Sequence, residues 1–177
     1  MPLLTPDLMV KNVTCIEEEM LRSRGIRGLI LDVDNTLTDH GSQILRPSVE
    51  TWLLRMKKSG MKMTIVSNNT HERVEPFANK LGLGFISMGC KPLTVGMTRA
   101  QKKLGLNPSQ IAVVGDQIFT DIIGGNLKGM FTIMVEPFVL EQGLLFRIKR
   151  GLEAFPVRRY QKRQGKRPGS PDANSRF

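Results

Sequence analysis

Cysteine is scarce in this 177-residue chain, with Cys15 and Cys90 the only two. They lie far apart in sequence, match neither a zinc pattern nor a disulfide framework, and read as reduced packing residues. Long apolar runs are also missing: none approaches the roughly 18 residues needed to cross a bilayer. The opening MPLLTPDLMV lacks a basic leader and is broken by two prolines, so it does not read as a signal peptide. Acidic residues are the third shortage, 16 against 26 Lys and Arg. That imbalance is uneven, because residues 1–140 carry 16 basic and 13 acidic side chains and residues 141–177 carry 10 and 3. The length suits one domain, assigned to 1–155, followed by a basic tail over 156–177. A soluble cytoplasmic protein, or one peripheral on the inner face of a membrane, is expected. Basic charge by itself selects no partner.

Five short apolar runs read as strands, over 28–33, 61–66, 84–87, 111–115 and 131–136. Several lack strict alternation, as strands covered on both faces do. Helical spacing fills the intervals. Thr14 and Glu17 form a capping box for a helix ending near Gly25. Pro47 opens a helix carrying Val49, Trp52, Leu53 and Met56, and further helices are expected over 71–81, 93–104 and 120–128. Strand alternating with helix predicts an α/β fold, a three-layer, Rossmann-like doubly wound parallel sheet. The closing KRQGKRPGSPDANSRF is polar, Pro- and Gly-bearing, and reads as disordered.

In such a sheet, ligands bind at the carboxyl ends of the strands. The first apolar run, GLIL, runs straight into Asp32 and Asp34, with Thr36 behind. Ser67, Asn68 and Asn69 follow the second, Cys90, Lys91 and Pro92 come just beyond the third, and Asp116 and Asp121 follow the fourth. Clustered carboxylates repel unless a cation shares them, and hard oxygen donors suit Mg²⁺. A lysine beside such acids serves instead to neutralise an anionic substrate such as phosphate. Serine and amide groups add hydrogen bonds to its oxygens. A metal-screened carboxylate can act as a nucleophile, and a second one nearby can move protons.

DVDNT, VSNN, KP and GDQIFTD, in order at four strand ends, resemble the four motifs of the haloacid-dehalogenase-like phosphatases over about 110 residues. Carried over by position, the resemblance implies Asp32 as nucleophile and Asp34 as general acid and base. It implies Thr36, Ser67, Asn68 and Lys91 around the phosphoryl group. Mg²⁺ would be held by a side-chain oxygen of Asp32, the backbone carbonyl of Asp34, Asp116 and Asp121, the last directly or through water. Cap domains in this superfamily follow the first motif or separate the second from the third. The intervals from Thr36 to Pro47 and from Ser67 to Lys91 leave room for neither, so the site is open to bulky substrates. GIRGLILDVDNTLT and GDQIFTDIIGGNLKGM, with Asn126 and Gly129, resemble the capless branch of YqeG-type proteins and mitochondrial phosphatidylglycerophosphate phosphatases. That branch implies hydrolysis of phosphatidylglycerophosphate to phosphatidylglycerol and phosphate.

The segment FVLEQGLLFRIKRGLEAF sets Leu144, Leu145, Ile148 and Leu152 among Arg147, Lys149 and Arg150. It reads as a basic amphipathic helix on an anionic membrane, or as one more core helix with a solvated basic face. Two other functions compete with a lipid phosphatase: a phosphatase for a soluble sugar phosphate, nucleotide or phosphoprotein, and a non-catalytic RNA- or ribosome-binding module. The intact acids argue against the second, and no nucleic-acid partner is expected. His71 reads as a helix-start residue, Asp39 and His40 as exposed turn residues, and Trp52 and the methionines as core. Gly124 and Gly125 make no dinucleotide fingerprint.

Overall fold

The computed structural model describes residues 3–137. Six strands form one parallel sheet: β1 (Leu8–Val10), β2 (Gly28–Leu31), β3 (Lys62–Val66), β4 (Gly84–Ile86), β5 (Ile111–Gly115) and β6 (Phe131–Val135), in the order β1-β6-β5-β2-β3-β4. The helices are α1 (Glu18–Arg22), α2 (Pro47–Lys58), α3 (His71–Leu81), α4 (Thr94–Leu104) and α5 (Ile123–Leu127). The chain winds outward from β2 through β3 to β4, then returns to the other side of β2 as β5. The strand order therefore reverses between β2 and β5, the place where ligands bind in open sheets of this kind.

Burial on both faces explains the apolar runs. Leu29 and Leu31 of β2 join Ile65, Ala112, Val114 and Ile133 in a core beneath α2 and α3, with Trp52, Met56 and Phe77. Ile30 points to the opposite face, where Val66, Val113, Met97, Ala100 and Leu104 pack it against α4. Adjacent side chains of one strand thus enter different cores, as the period of two requires. Trp52, on the core face of α2, donates its indole N–H to the carbonyl of Ile16 at 2.8 Å.

Several expectations from sequence need correction. The sheet has a sixth strand: β1 pairs with β6 in register, Leu8 with Ile133 and Val10 with Val135. Thr14 and Glu17 form no capping box. Asn12 caps a short 3-10 turn at Val13–Cys15, accepting from the Thr14 N–H at 3.0 Å, and α1 starts only after Glu17. The fifth helix begins as a π-helical turn, Ile118–Ile122, before α5 proper. Both cysteines are free but exposed, so neither packs in the core. The C-terminal amphipathic segment and the basic tail lie outside the described residues, as does the end of the domain assigned to 1–155. Among the described residues no helix is long and apolar enough to cross a membrane.

Candidate active site

The site assembles at the switch point. Beyond β2 the Asp32 N–H still bonds the Val114 carbonyl at 3.0 Å, so this residue is held as rigidly as the strand that precedes it. Asp116 follows β5 directly and is fully buried. The π-helical turn swings Asp121 back toward the same point. Its carboxylate lies so close over Gly115 that a Cβ there would come within 2.3 Å of Cγ, hence the glycine. Asp32, Asp116 and Asp121 each present an oxygen within 4.8 Å of the others.

Lys91 enters from beyond β4. Its loop is drawn in by contact between Gly89 and Gly96, where a Cβ on Gly96 would meet the Gly89 carbonyl oxygen at 2.5 Å. The Lys91–Pro92 peptide is cis. The Lys91 ammonium, only 4% exposed, donates to Asp121 Oδ1 at 2.7 Å and to Asp32 Oδ1. Burial lifts the Asp32 carboxyl to about 6; Lys91 opposes the rise, while Asp121 and Asp34 add to it. Burial alone would lower the Lys91 ammonium, but Asp121 and Asp32 outweigh it and hold the group above its ordinary range. Three carboxylates crowd the one ammonium that Asp32 and Asp121 share, so acidic oxygens are concentrated at this point. An all-oxygen donor set of that kind fits a hard divalent cation such as Mg²⁺.

Asp34 stands at the mouth. Its carboxylate accepts from Asn69 Nδ2 at 2.6 Å, Arg73 Nη2 at 2.8 Å and the Gly41 N–H at 2.8 Å. Between Asp34 and Pro47 the chain forms a short flap, stitched by single bridges from Thr38 to Asp34 and to Leu45. Asp39 of this flap is half-buried and pairs with Arg46 at 2.7 Å, while His40 beside it is exposed. His71, at the start of α3, is exposed and faces Glu75.

The other expected site residues divide. Ser67 is buried at the end of β3, and its hydroxyl accepts from the Asn69 N–H at 3.1 Å. Thr36 is fully buried, and its hydroxyl has no hydrogen-bond partner among the described residues. Asn68 places its side-chain amide on the Lys91 backbone. Its Oδ1 accepts from the Lys91 N–H at 2.7 Å and its Nδ2 donates to the Lys91 carbonyl at 3.0 Å, so it fixes the lysine in place. Arg73 was not anticipated, nor was Asn69 as a partner of Asp34. The available signal for Arg73 was its position: a cation in the first turn of a helix opposes the dipole and needs a local reason. Asn126, a marker of the branch, is structural, donating to the carbonyls of Leu3 at 2.8 Å and Thr5 at 3.1 Å.

Residues 41–127 match the family model of haloacid dehalogenase-like hydrolases, a span that contains Lys91, Asp116 and Asp121 and begins after Asp32 and Asp34. The chain is 39% identical over 148 residues to the probable phosphatase YqeG of Bacillus subtilis, covering 84% of this chain and 86% of that protein. It is 28% identical over 173 residues to the chloroplastic/mitochondrial phosphatidylglycerophosphate phosphatase 1 of Arabidopsis thaliana, covering 92% of this chain but 49% of the relative. The fold is shared with the cobalt-bound deoxy-D-mannose-octulosonate 8-phosphate phosphatase YrbI of Haemophilus influenzae, at a TM-score of 0.51 and 13% identity over 78% of this chain and 91% of that one. The chain therefore belongs to the haloacid dehalogenase-like hydrolases, as a phosphatase-type enzyme of the branch that contains YqeG and the phosphatidylglycerophosphate phosphatases.

Proposed function

We propose that this protein is a Mg²⁺-dependent phosphomonoesterase that converts phosphatidylglycerophosphate to phosphatidylglycerol and phosphate. The observation that carries the chemistry is Asp32: a carboxylate at the switch point, paired with a buried lysine and crowded by two further acids. Asp32 attacks phosphorus, the bond to the glycerol oxygen breaks, and Asp34 delivers a proton to that oxygen. In the second half Asp34 takes a proton from water, the water oxygen bonds to phosphorus, and the acyl-phosphate bond breaks to return the Asp32 carboxylate. Lys91 and Ser67 hold the phosphoryl oxygens, Thr36 lies at the same strand end, and Asn68 steadies Lys91. Asp32, Asp116, Asp121 and the Asp34 carbonyl would hold Mg²⁺. When bound, the ion supplies charge neutralisation on the transferring phosphoryl group.

The lipid substrate is supported by relatives of this branch and by the lack of any inserted cap domain between β2 and α2 or between β3 and α4 among the described residues. Contact with an anionic membrane is assigned to the basic C-terminal segment. Phosphate release from phosphatidylglycerophosphate in mixed micelles tests the proposal, with wild type measured beside Asp32→Asn and with chelator. Unchanged turnover in Asp32→Asn would remove the nucleophile. Faster turnover of sugar phosphates or nucleotides than of lipid would favour a soluble substrate.

A further inference from the structure

The chemistry above leaves unused the cation on the outer side of Asp34. Arg73 occupies the third position of α3, where the helix dipole disfavours positive charge. Its partners offset that cost: Nη2 donates to Asp34 Oδ1 at 2.8 Å and Nη1 to the Gly41 carbonyl at 3.2 Å. The flap answers through Gln43, whose Nε2 donates to the Arg73 carbonyl at 3.0 Å. Carboxylate, flap and helix therefore meet at one guanidinium. It is 30% exposed where Lys91 is 4%, and it uses two of its five N–H donors among the described residues.

Position separates the two cations. Lys91, sealed against Asp32 and Asp121, meets the group being transferred. Arg73 meets whatever follows on the leaving side. An oxygen that receives a proton from Asp34 must lie within hydrogen-bond reach of its carboxylate, and so about 5–6 Å from the Arg73 guanidinium. A glycerol unit in a bent conformation bridges that interval, with its far oxygen short of the guanidinium. That oxygen can carry a phosphate, whose paired oxygens match the planar fork of arginine.

We propose that Arg73 is a specificity-determining residue that binds a second anionic phosphate on the leaving alcohol, one glycerol unit from the scissile oxygen. The inference rests on Asp34 as proton donor to the leaving group. It adds what Asp34 cannot supply, discrimination between charged and uncharged alcohols.

The test is kcat/KM of wild type, Arg73→Gln and Arg73→Lys toward three soluble substrates: dihexanoyl phosphatidylglycerophosphate, glycerol 1,3-bisphosphate and glycerol 3-phosphate. Wild type is expected to prefer the first two over the third. Arg73→Gln is expected to lower all rates through its hold on Asp34, and in addition to shrink that preference roughly 10- to 100-fold, mostly in KM. Arg73→Lys recovers part of the preference, keeping the charge without the fork, and carries the comparison if Arg73→Gln does not fold. Collapse for the lipid analogue alone assigns the anion to a phosphodiester, and collapse for both assigns it to phosphate in general. A preference ratio equal in wild type and variants overturns the inference, because a residue that only positions Asp34 slows every substrate alike. If wild type hydrolyses none of the three, the phosphatase reading falls and takes this inference with it; activity with an unmoved ratio sinks the inference alone.

Discussion

Replacing Lys91 with methionine keeps the side-chain length and removes the charge. In the native site the ammonium is buried and shared by Asp32 and Asp121, with Asp116 within the same 4.8 Å cluster. Without it, Asp32 and Asp121 lose the ammonium they share while a third carboxylate stands beside them. Removing one partner of a buried ion pair costs about 3–5 kcal/mol. Domains of this size hold roughly 5–15 kcal/mol in total, so the variant in chelator should stand near the edge of folding. At a urea dependence of about 1–3 kcal/mol per molar, the midpoint should fall by at least about 1 M. The chain's single tryptophan, Trp52, is 2% exposed in the main core and reports the transition by fluorescence. Mg²⁺ should recover most of the loss, because the cation replaces the missing charge and binds the native state alone. Activity should stay far below wild type even then, since the phosphoryl group loses its ammonium. An unchanged midpoint in chelator, or a deficit indifferent to Mg²⁺, would refute the view that Lys91 balances this cluster.

Three other outcomes follow from the geometry. The Asp32 carboxyl is raised from 3.8 to about 6 on folding, so its contribution to metal-free stability is full below about pH 4 and is lost as pH rises through 6. At about 1.4 kcal/mol per pH unit the loss approaches 3 kcal/mol by pH 7. Urea melts in chelator should show Asp32→Asn gaining on wild type between pH 4 and 8, and parallel curves would contradict the shift. Gly115→Ala should push Asp121 away from the cluster, weakening Mg²⁺ binding by calorimetry at least about 10-fold and costing about 1–3 kcal/mol of stability; unaltered affinity would deny the close approach its role. Asn126→Ala should free the Leu3–Thr5 segment, speeding amide exchange in β1 and lowering stability by about 1–2 kcal/mol; unchanged exchange in β1 would deny Asn126 that role.

The central strands were legible because they are buried on both faces and bounded by turns. β3 and β5 fall within a residue of their expected limits, and α2 and α3 announce themselves through Pro47 and through apolar spacing. β1 escaped notice because three residues after two prolines carry too little pattern; only the partner strand, 125 positions away, makes them a strand. The positions of Asp32, Asp34, Ser67, Lys91, Asp116 and Asp121 at strand ends were visible because α/β topology sends all strand ends to one rim. What each amide does was not visible. Asn68 and Asn69 are neighbours, yet one grips the Lys91 backbone and the other the Asp34 carboxylate, a choice made by loop conformation. The exposure of Cys15 and Cys90 was missed for the same reason, since residue type states a tendency and the loop decides.

The pairing of β1 with β6 has a consequence during synthesis. Leu8–Val10 leaves the ribosome long before it can pair, since its partner Ile133–Val135 is made 125 residues later. At cellular elongation rates that wait lasts roughly 6–25 s. Through it, a short apolar segment is without its ladder partner. Once β6 is made, Asp7 fixes the pairing from its own side, its carboxylate accepting from the Thr132 N–H at 2.9 Å.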